Sequence, residues 1–507
     1  MTTATLPVNA FIAAPSRSGG HIPLSVPHDG VRDEGFGRVA GELRLPPPVA
    51  GGMDIMVIGA GPTGSFLALA LARRGHAVTV LDRDPGPAAD GSWERPGVPQ
   101  FRQPHAFRSQ IAEALRAELP GVLEALVADG AYLAEGQMGV RRSVYEAVFR
   151  RALSGEPGVT MLAGSARDIR TDAAGRPVLI SDTGISTADL VLNATGRARF
   201  LKHRRTAGLD VDSGLAYVSR EYQVAPGARD EFYAGARHIW NLPGYLVRVF
   251  PSDSNVISTL FVRRADDRDL TVLRHPEAYE AATAAVPPLA ALMTADKVRP
   301  ISRVYPGGAM RNIYRGQLTK DEIDTPGVIH VGDAVFSPSP MYGRGIATSL
   351  IQARALLELI DAGHDRDSVT RRFDAWCTGR MLPWFHDQVL DDAGVIGMWD
   401  GGDLEIDGRL PSATITRAVA GEPRWRDVIG QYLDMRVLPS ALAPVEVAAR
   451  ERIAAGWRPA FADGPDRQEL LRVIRGSVNR TSPVRPAFAA RSAGSSGHKS
   501  PGTSGAA

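Results

Sequence analysis

The chain has 507 residues, 44% hydrophobic and 22% charged, ordinary proportions for a globular protein large enough for more than one core. Its 58 basic residues (54 Arg, 4 Lys) against 56 acidic ones leave a formal charge of +2, which excludes a strongly basic nucleic-acid binder. A single cysteine, Cys377, excludes an internal disulfide framework and any cysteine-rich zinc or iron–sulfur centre.

Residues 1–52 are rich in Gly, Pro, Ser and scattered charge, end in Pro46-Pro47-Pro48 and Gly51-Gly52, and read as a disordered extension. They lack the basic start, apolar stretch and small-residue cleavage site of a secretory signal, so the expected location is cytoplasmic. Met53 directly precedes the first apolar strand and offers an alternative start. Residues 53–59 read as a strand, 62–74 as a helix stopped by Gly75, and 77–81 as a second strand. Such a strand–helix–strand unit is expected to be right-handed and parallel. Helices are predicted over 109–130 and 143–153, and a buried strand over 190–193.

Then the texture changes. Residues 213–224, 245–250 and 255–264 read as longer strands, the last two flanking the turn Ser252-Asp253-Ser254. A short apolar strand returns at 328–332, followed by a helix over 345–362. Residues 376–478 read as mainly helical, with Trp384, Trp399, Trp425 and Trp457 as anchors. From about Asn479 the chain is Ser, Gly, Pro, Ala and Arg, a tail rather than a fold. No charge-free apolar run reaches the length of a membrane span.

The strongest local signal is Gly59-Ala60-Gly61-Pro62-Thr63-Gly64 between the first strand and its helix. The first glycine allows a tight turn, the second lets backbone approach a pyrophosphate, and the third lets helix and strand pack closely. The helix N-terminus adds free N–H groups and partial positive charge. Asp82, followed by Arg83, ends the second strand, where a carboxylate can accept hydrogen bonds from ribose hydroxyls. This unit alone does not separate FAD from NAD. The downstream segment Val331-Gly332-Asp333-Ala334 favours FAD. It leads through Pro338 and Pro340 to Tyr342-Gly343-Arg344-Gly345-Ile346 and a helix. An Asp at a strand end can bind ribityl hydroxyls, the glycines let backbone pass a flavin edge, and the helix N-terminus faces the side where reduced flavin is anionic.

This pair of motifs resembles the FAD-dependent monooxygenases of the p-hydroxybenzoate hydroxylase fold, over about residues 53–390. Four further segments resemble the branch that includes actinobacterial polyether-type flavin epoxidases. They are Arg95-Pro96-Gly97-Val98-Pro99-Gln100 with His105 nearby, Arg142 four residues before Glu146, Ala194-Thr195-Gly196-Arg197, and Pro340-Met341-Tyr342-Gly343-Arg344-Gly345. The resemblance implies an α/β chain with a split Rossmann-type FAD-binding domain (53–205 and 321–375). A mainly antiparallel substrate-binding sheet domain (206–320) is inserted in it, a helical region (376–478) follows, and 1–52 and 479–507 are disordered. It implies that Asp82 holds the adenosine ribose, Arg142 the phosphate–adenosine side and Asp333 the ribityl chain, with Arg95 and Gln100 near the flavin. Gly59, Gly61, Pro62, Thr63, Gly64, Arg83, Gly332, Pro340, Gly343, Gly345 and Ile346 complete the implied cofactor contacts. From the residues alone, Arg142 could equally be a solvated arginine at a helix start, and His105 a structural histidine.

The implied activity is hydroxylation or epoxidation of a lipophilic small molecule of secondary metabolism, by O₂ through a flavin C4a-hydroperoxide. No protein nucleophile is required. Thr195-Gly196 stands where many nicotinamide-using members carry Asp-Gly. The electron donor is therefore NADPH, NADH, or reduced flavin from a partner reductase. A dehydrogenase or alkene reductase of the same fold, and a non-catalytic flavoprotein scaffold, remain alternatives. The Trp-x-Trp-x-Ile-Pro stretch of flavin-dependent halogenases is absent. So are His-x-x-x-His spacings and a Gly-x-Ser-x-Gly elbow, and no metal site is read. Asp391-Asp392 is expected on a solvated helix face, and the pairs Arg204-Arg205 and Arg371-Arg372 are expected to be solvated or acid-paired.

Overall fold

The computed structural model describes residues 52–481 apart from 135–136, 198–207, 234–237, 402–403 and 405–407. Residues 1–51 and 482–507 of the two expected tails, and the pair Arg204-Arg205, lie outside the described residues.

A five-stranded parallel sheet forms the first layer, in the order Val328–His330, Leu190–Asn193, Asp54–Ile58, Ala77–Asp82, Val159–Ala163. The register aligns Ile58 with both Leu81 and Asn193, and Asn193 with His330. The carboxyl ends of these strands therefore share one edge. Gly59, Asp82, Ala194 and Gly332 leave it side by side, the place where open α/β sheets bind ligands. The sheet's runs of Val, Ile and Leu are buried on both faces, as a covered parallel sheet requires. Helix Pro62–Ala72 is buried all round, from Phe66 to Leu71. It lies between the sheet and the helices Arg142–Gly155 and Gly345–Asp361.

Three features depart from expectation. The helix predicted over 109–130 is two helices, Ser109–Glu118 and Pro120–Ala128, because Pro120 removes an N–H donor and displaces Leu119 from helical geometry. The strand Val159–Ala163 extends the parallel sheet at its edge. An antiparallel meander of Ala166–Thr171, Pro177–Ser181 and Gly184–Thr187 covers the remaining face, where Ile169 and Leu179 pack on Met56, Ile58 and Val191.

The antiparallel sheet runs Ile239–Leu242, Tyr245–Pro251, Val256–Arg264, Leu215–Val224, Val298–Pro300, with Tyr305–Gly307 also pairing to Leu215–Val224. Alternation sorts its two faces. Val218, Tyr222, Tyr245, Val247 and Phe261 face a core closed by helices Pro276–Ala285 and Arg467–Thr481. Leu215, Tyr217, Leu246, Leu260 and Val262 face the other way, toward Met310, Met341 and Val395. The helical region includes Leu382–Trp399, Ser412–Ala418 and Arg426–Leu433. Trp384 is buried there, Trp425 and Trp457 pack on the main core, and Trp399 donates its indole N–H to Asn241 of the sheet (3.1 Å). No helix among the described residues is long and apolar enough to cross a membrane.

Candidate active site

One cavity of about 1110 Å³ opens at the carboxyl edge of the parallel sheet and extends over the inward face of the antiparallel sheet. Gly59, Gly61, Pro62, Thr63, Asp82, Arg83, Arg95, Gln100, Arg142, Asp333, Pro340, Gly343, Gly345 and Ile346 all line it. Gly64 and Gly332 do not; they shape the backbone behind it. A Cβ on Gly64 would lie 1.8 Å from the Gly59 carbonyl oxygen, so only glycine lets this helix start against the turn. Gly332 has φ +70°, and a Cβ there would press on Thr63. Gly61 is the converse case, since a Cβ there meets nothing within 4 Å.

At one end, Asp82 is 6% exposed and fully engaged. It accepts hydrogen bonds from the Ala60 N–H (2.6 Å), the Asp84 N–H (2.8 Å) and Arg95 Nη2 (3.0 Å). Arg95 also pairs with Asp84 (3.1 Å) and Glu146, and Arg142 Nε pairs with Glu146. Burial works against the Arg95 charge, yet Glu146 and Asp82 carry its pKa above the ordinary value. Arg95 therefore belongs to the Asp82 end of the cavity. Arg142 is buried, which removes the solvated alternative. Arg150 brings a further guanidinium to 3.8 Å from Asp82, with its Nη2 buried and lacking a hydrogen-bond partner.

His105 borders the middle of the cavity. Its Nδ1 lies 2.8 Å from the Gln103 carbonyl oxygen and its Nε2 3.4 Å from Arg142 Nη1. Burial, helped by Arg142, lowers its pKa to about 3. The ring is thus neutral, donating from Nδ1 and accepting at Nε2. Gln103 ties this loop to the antiparallel sheet, accepting from Ser219 Oγ (2.6 Å) and donating to the carbonyls of Tyr305 and Pro306.

Across the cavity, Asp333 sits beside Gly196, whose φ is +66° and whose Cβ would come 3.9 Å from the Asp333 Cβ. Burial raises the Asp333 pKa against the pull of Arg197 and Arg142. Arg197 fastens the 337–338 backbone, donating to Ser337 Oγ (2.6 Å) and the Pro338 carbonyl (3.3 Å). Thr195 also borders the cavity, its hydroxyl donating to Asn193 Oδ1 (2.8 Å). The far compartment is apolar, with Tyr217, Phe250, Leu260, Val262, Met310 and Met341 on its walls and Arg248 among them, its Nη1 donating to the Met341 carbonyl (2.5 Å).

Sequence reasoning missed Glu146 as a hub, the part Arg197 plays in fastening 337–338, and Arg248. It also missed the setting of Asp391 and Asp392. Both are 1% exposed, so the expected solvated face is wrong: the helix Leu382–Trp399 is covered on both flanks. Arg344, 3% exposed, stacks near Trp384 and Tyr432 and bonds to this helix rather than lining the cavity.

The residues fit FAD. Gly61 and Gly345 leave open space where side chains would otherwise stand, and two helix N-termini, at Pro62 and Gly345, border the cavity. Six arginines and two aspartates line it, an excess of positive charge that suits a pyrophosphate. The FAD dependent oxidoreductase family matches residues 54–99. The chain is 25% identical over 350 residues to the kynurenine 3-monooxygenase of Salinispora tropica, covering 63% of this chain and 75% of that one. Its fold is similar to that of PqsL, a probable FAD-dependent monooxygenase from Pseudomonas aeruginosa, at 14% identity and TM-score 0.52, covering 68% of this chain and 96% of that one. It is also similar to that of the flavin-dependent brominase Bmp2, at 14% identity and TM-score 0.56, covering 80% and 98%. The chain is an FAD-dependent oxidoreductase, and FAD is its cofactor.

Proposed function

We propose that this FAD-dependent oxidoreductase is a monooxygenase that places one oxygen atom of O₂ into a lipophilic small molecule, by hydroxylation or epoxidation, while the other leaves as water. The observation that carries this reading is the continuity of one cavity, whose glycine- and arginine-lined half runs into an apolar half floored by the antiparallel sheet. The likeness to kynurenine 3-monooxygenases supports an electron-rich ring among the acceptors. The resemblance of the 95–100 and 340–345 segments to those of flavin epoxidases is what favours epoxidation of an alkene.

When bound, FAD supplies the redox chemistry, taking two electrons from a donor and passing them to O₂. The chain's own residues hold, orient and desolvate. Asp82, fixed by Arg95, marks the ribose end. Gly61 and the N-terminus of Pro62–Ala72 admit the pyrophosphate, with Arg142 beside it. Asp333 holds the ribityl chain. The backbone at Gly343 and Gly345 borders the ring, and the N-terminus of Gly345–Asp361 stabilises negative charge there. Leu260, Val262, Met310 and Met341 exclude water from the reacting end. Thr195, bonded to Asn193, supplies no carboxylate for a nicotinamide donor, which favours reduced flavin from a partner reductase over direct NADPH or NADH use.

The test uses the purified, FAD-loaded chain, reduced chemically without oxygen. It is then exposed to ¹⁸O₂ with a panel of lipophilic alkenes and phenols that includes kynurenine. One labelled oxygen atom in a product is the expected result. Full reoxidation with no oxygenated product across the panel, together with oxygen-independent hydride transfer, would replace this reading with a dehydrogenase.

A further inference from the structure

Behind the 338–345 loop lies a buried polar cluster that the proposed chemistry does not use. Helix Leu382–Trp399 presents Asp387, Asp391 and Asp392, all 1% exposed or less, and the first two meet the guanidinium of Arg344. Arg344 Nη2 lies 2.9 Å from Asp387 and 3.4 Å from Asp391, and donates to the Tyr432 hydroxyl (2.7 Å); its Nη1 donates to Gln388 Oε1 (3.1 Å). Gln388 in turn donates to Ser339 Oγ (3.1 Å) and to Asp392 Oδ1 (3.0 Å). Asn312 donates to Asp392 Oδ2 (2.8 Å) and accepts the Ser339 N–H (2.7 Å). Both ends of the loop, Ser339 and Arg344, are thus fastened to one face of this helix, while Pro340, Gly343 and Gly345 between and beside them line the cofactor cavity.

Three buried carboxylates, with one buried guanidinium and the half-exposed Arg409 at longer range, cannot all be ionised without a large desolvation cost, so the cluster retains a proton. Hydrogen bonding says where. Asp387 accepts from Ser412 and Tyr432 as well as pairing with Arg344, and Asp392 accepts from Asn312 and Gln388, so both are well served as anions. Asp391 has the Ala413 N–H on Oδ1 (2.8 Å) and, on Oδ2, only the long contact to Arg344. The other charged or titratable groups facing the cluster are Arg409, 3.9 Å from Asp387, and Tyr342, which feels Arg248 and Arg417; His386 of the same helix feels Arg409.

We propose that Asp391 is a positioning residue for the flavin: protonated, it completes the cluster that holds Arg344 and hence the 339–345 backbone at the ring end of the cavity, and loss of that proton shifts the loop. Burial and then the Asp387 charge push the Asp391 pKa upward, above that of Asp392, which burial raises to about 6, so Asp391 is the carboxyl that keeps its proton longest as pH rises. The inference rests on the ring lying against this loop, as the proposed function has it.

The experiment follows the visible spectrum of FAD on the intact chain from about pH 5 to about pH 8.5, below the titration of flavin itself, with the FAD-to-protein ratio measured at each pH. The wild-type spectrum should change across this range, with its upper step, above the titration of Asp392 near 6, belonging to Asp391. Asp391→Asn, an isostere that keeps the Ala413 contact and cannot ionise, should lose the upper step, with FAD still bound. A merely structural role would change stability or loading without removing the titration. A wild-type spectrum that does not move while FAD stays bound, or a variant that titrates as the wild type does, overturns the proposal. A chain that takes up no FAD overturns the cofactor reading on which it stands.

Discussion

Two glycines of the same turn should fail in opposite ways. Gly59 has φ +100°, and a Cβ there would sit 2.7 Å from the Ala194 carbonyl oxygen. Gly59→Ala therefore combines left-handed backbone strain of about 1–2 kcal/mol with overpacking of about 1–3 kcal/mol, or about 2–5 kcal/mol in all. Gly61 has φ −80° and ψ −175°, open to any residue, and a Cβ there meets nothing within 4 Å. Gly61→Val should leave the apoprotein within about 0.5 kcal/mol of wild type. Its isopropyl group enters the space the pyrophosphate needs, and FAD affinity should fall at least tenfold, about 1.4 kcal/mol or more. The assay is denaturant unfolding of FAD-stripped protein for both variants, with FAD titration followed by quenching of flavin fluorescence. If Gly61→Val destabilised the apoprotein as much as Gly59→Ala, or bound FAD like the wild type, the assignment of Gly61 to the phosphate site would be wrong.

Asp333→Ala should weaken FAD binding by about 1.5–3 kcal/mol, measured in the same titration. Asp82→Ala should also destabilise the apoprotein, because it leaves Arg95 and Arg150 with one buried carboxylate fewer; unchanged unfolding would contradict the ion network seen here. His105, whose folded pKa of about 3 lies below its unfolded value, contributes stability that is present above about pH 6.5 and is lost as pH falls toward 3. The difference in unfolding free energy between wild type and His105→Gln should thus shrink on acidification through that window, and a pH-independent difference would refute the neutral ring. Anaerobic mixing with NADPH or NADH should reduce the bound flavin slowly, and fast reduction would remove the case for a partner reductase.

What could be read from sequence was local. Gly59, Gly61 and Gly64 stand at fixed spacing between a strand and a helix, and the register of the parallel sheet then brings Asp82 and Asp333 to one edge. The meander over 166–187 was missed although Asp172-Ala173-Ala174-Gly175 and Asp182-Thr183-Gly184 mark its turns, because its strands are short and half exposed. Asp391-Asp392 failed for a subtler reason. Adjacent helical residues do point to different sides, and these do, one toward Ala413 and the other toward Asn312. Burial of both sides depends on a strand some 80 residues upstream and a helix beyond, which no local pattern encodes. The ion network of Arg95 was not legible because its partners Asp82, Asp84 and Glu146 converge only in three dimensions.

The closing helix Arg467–Thr481 carries a consequence for synthesis. Its Leu470, Leu471 and Ile474 belong to the same core as Tyr245, Phe261 and Tyr279. A ribosome that has just released the last paired strand of that sheet, Tyr305–Gly307, must add about 170 further residues before the core can be sealed, roughly 10–35 s at ordinary elongation rates. Through that interval an aromatic, strand-rich surface stands open in the cell, and folding intermediates of that kind are the ones that aggregate. Slower growth temperature or a trigger-type chaperone should accordingly raise the soluble yield more than any change at the cofactor cleft, and ribosome stalls placed before residue 467 should be the most damaging along the whole message.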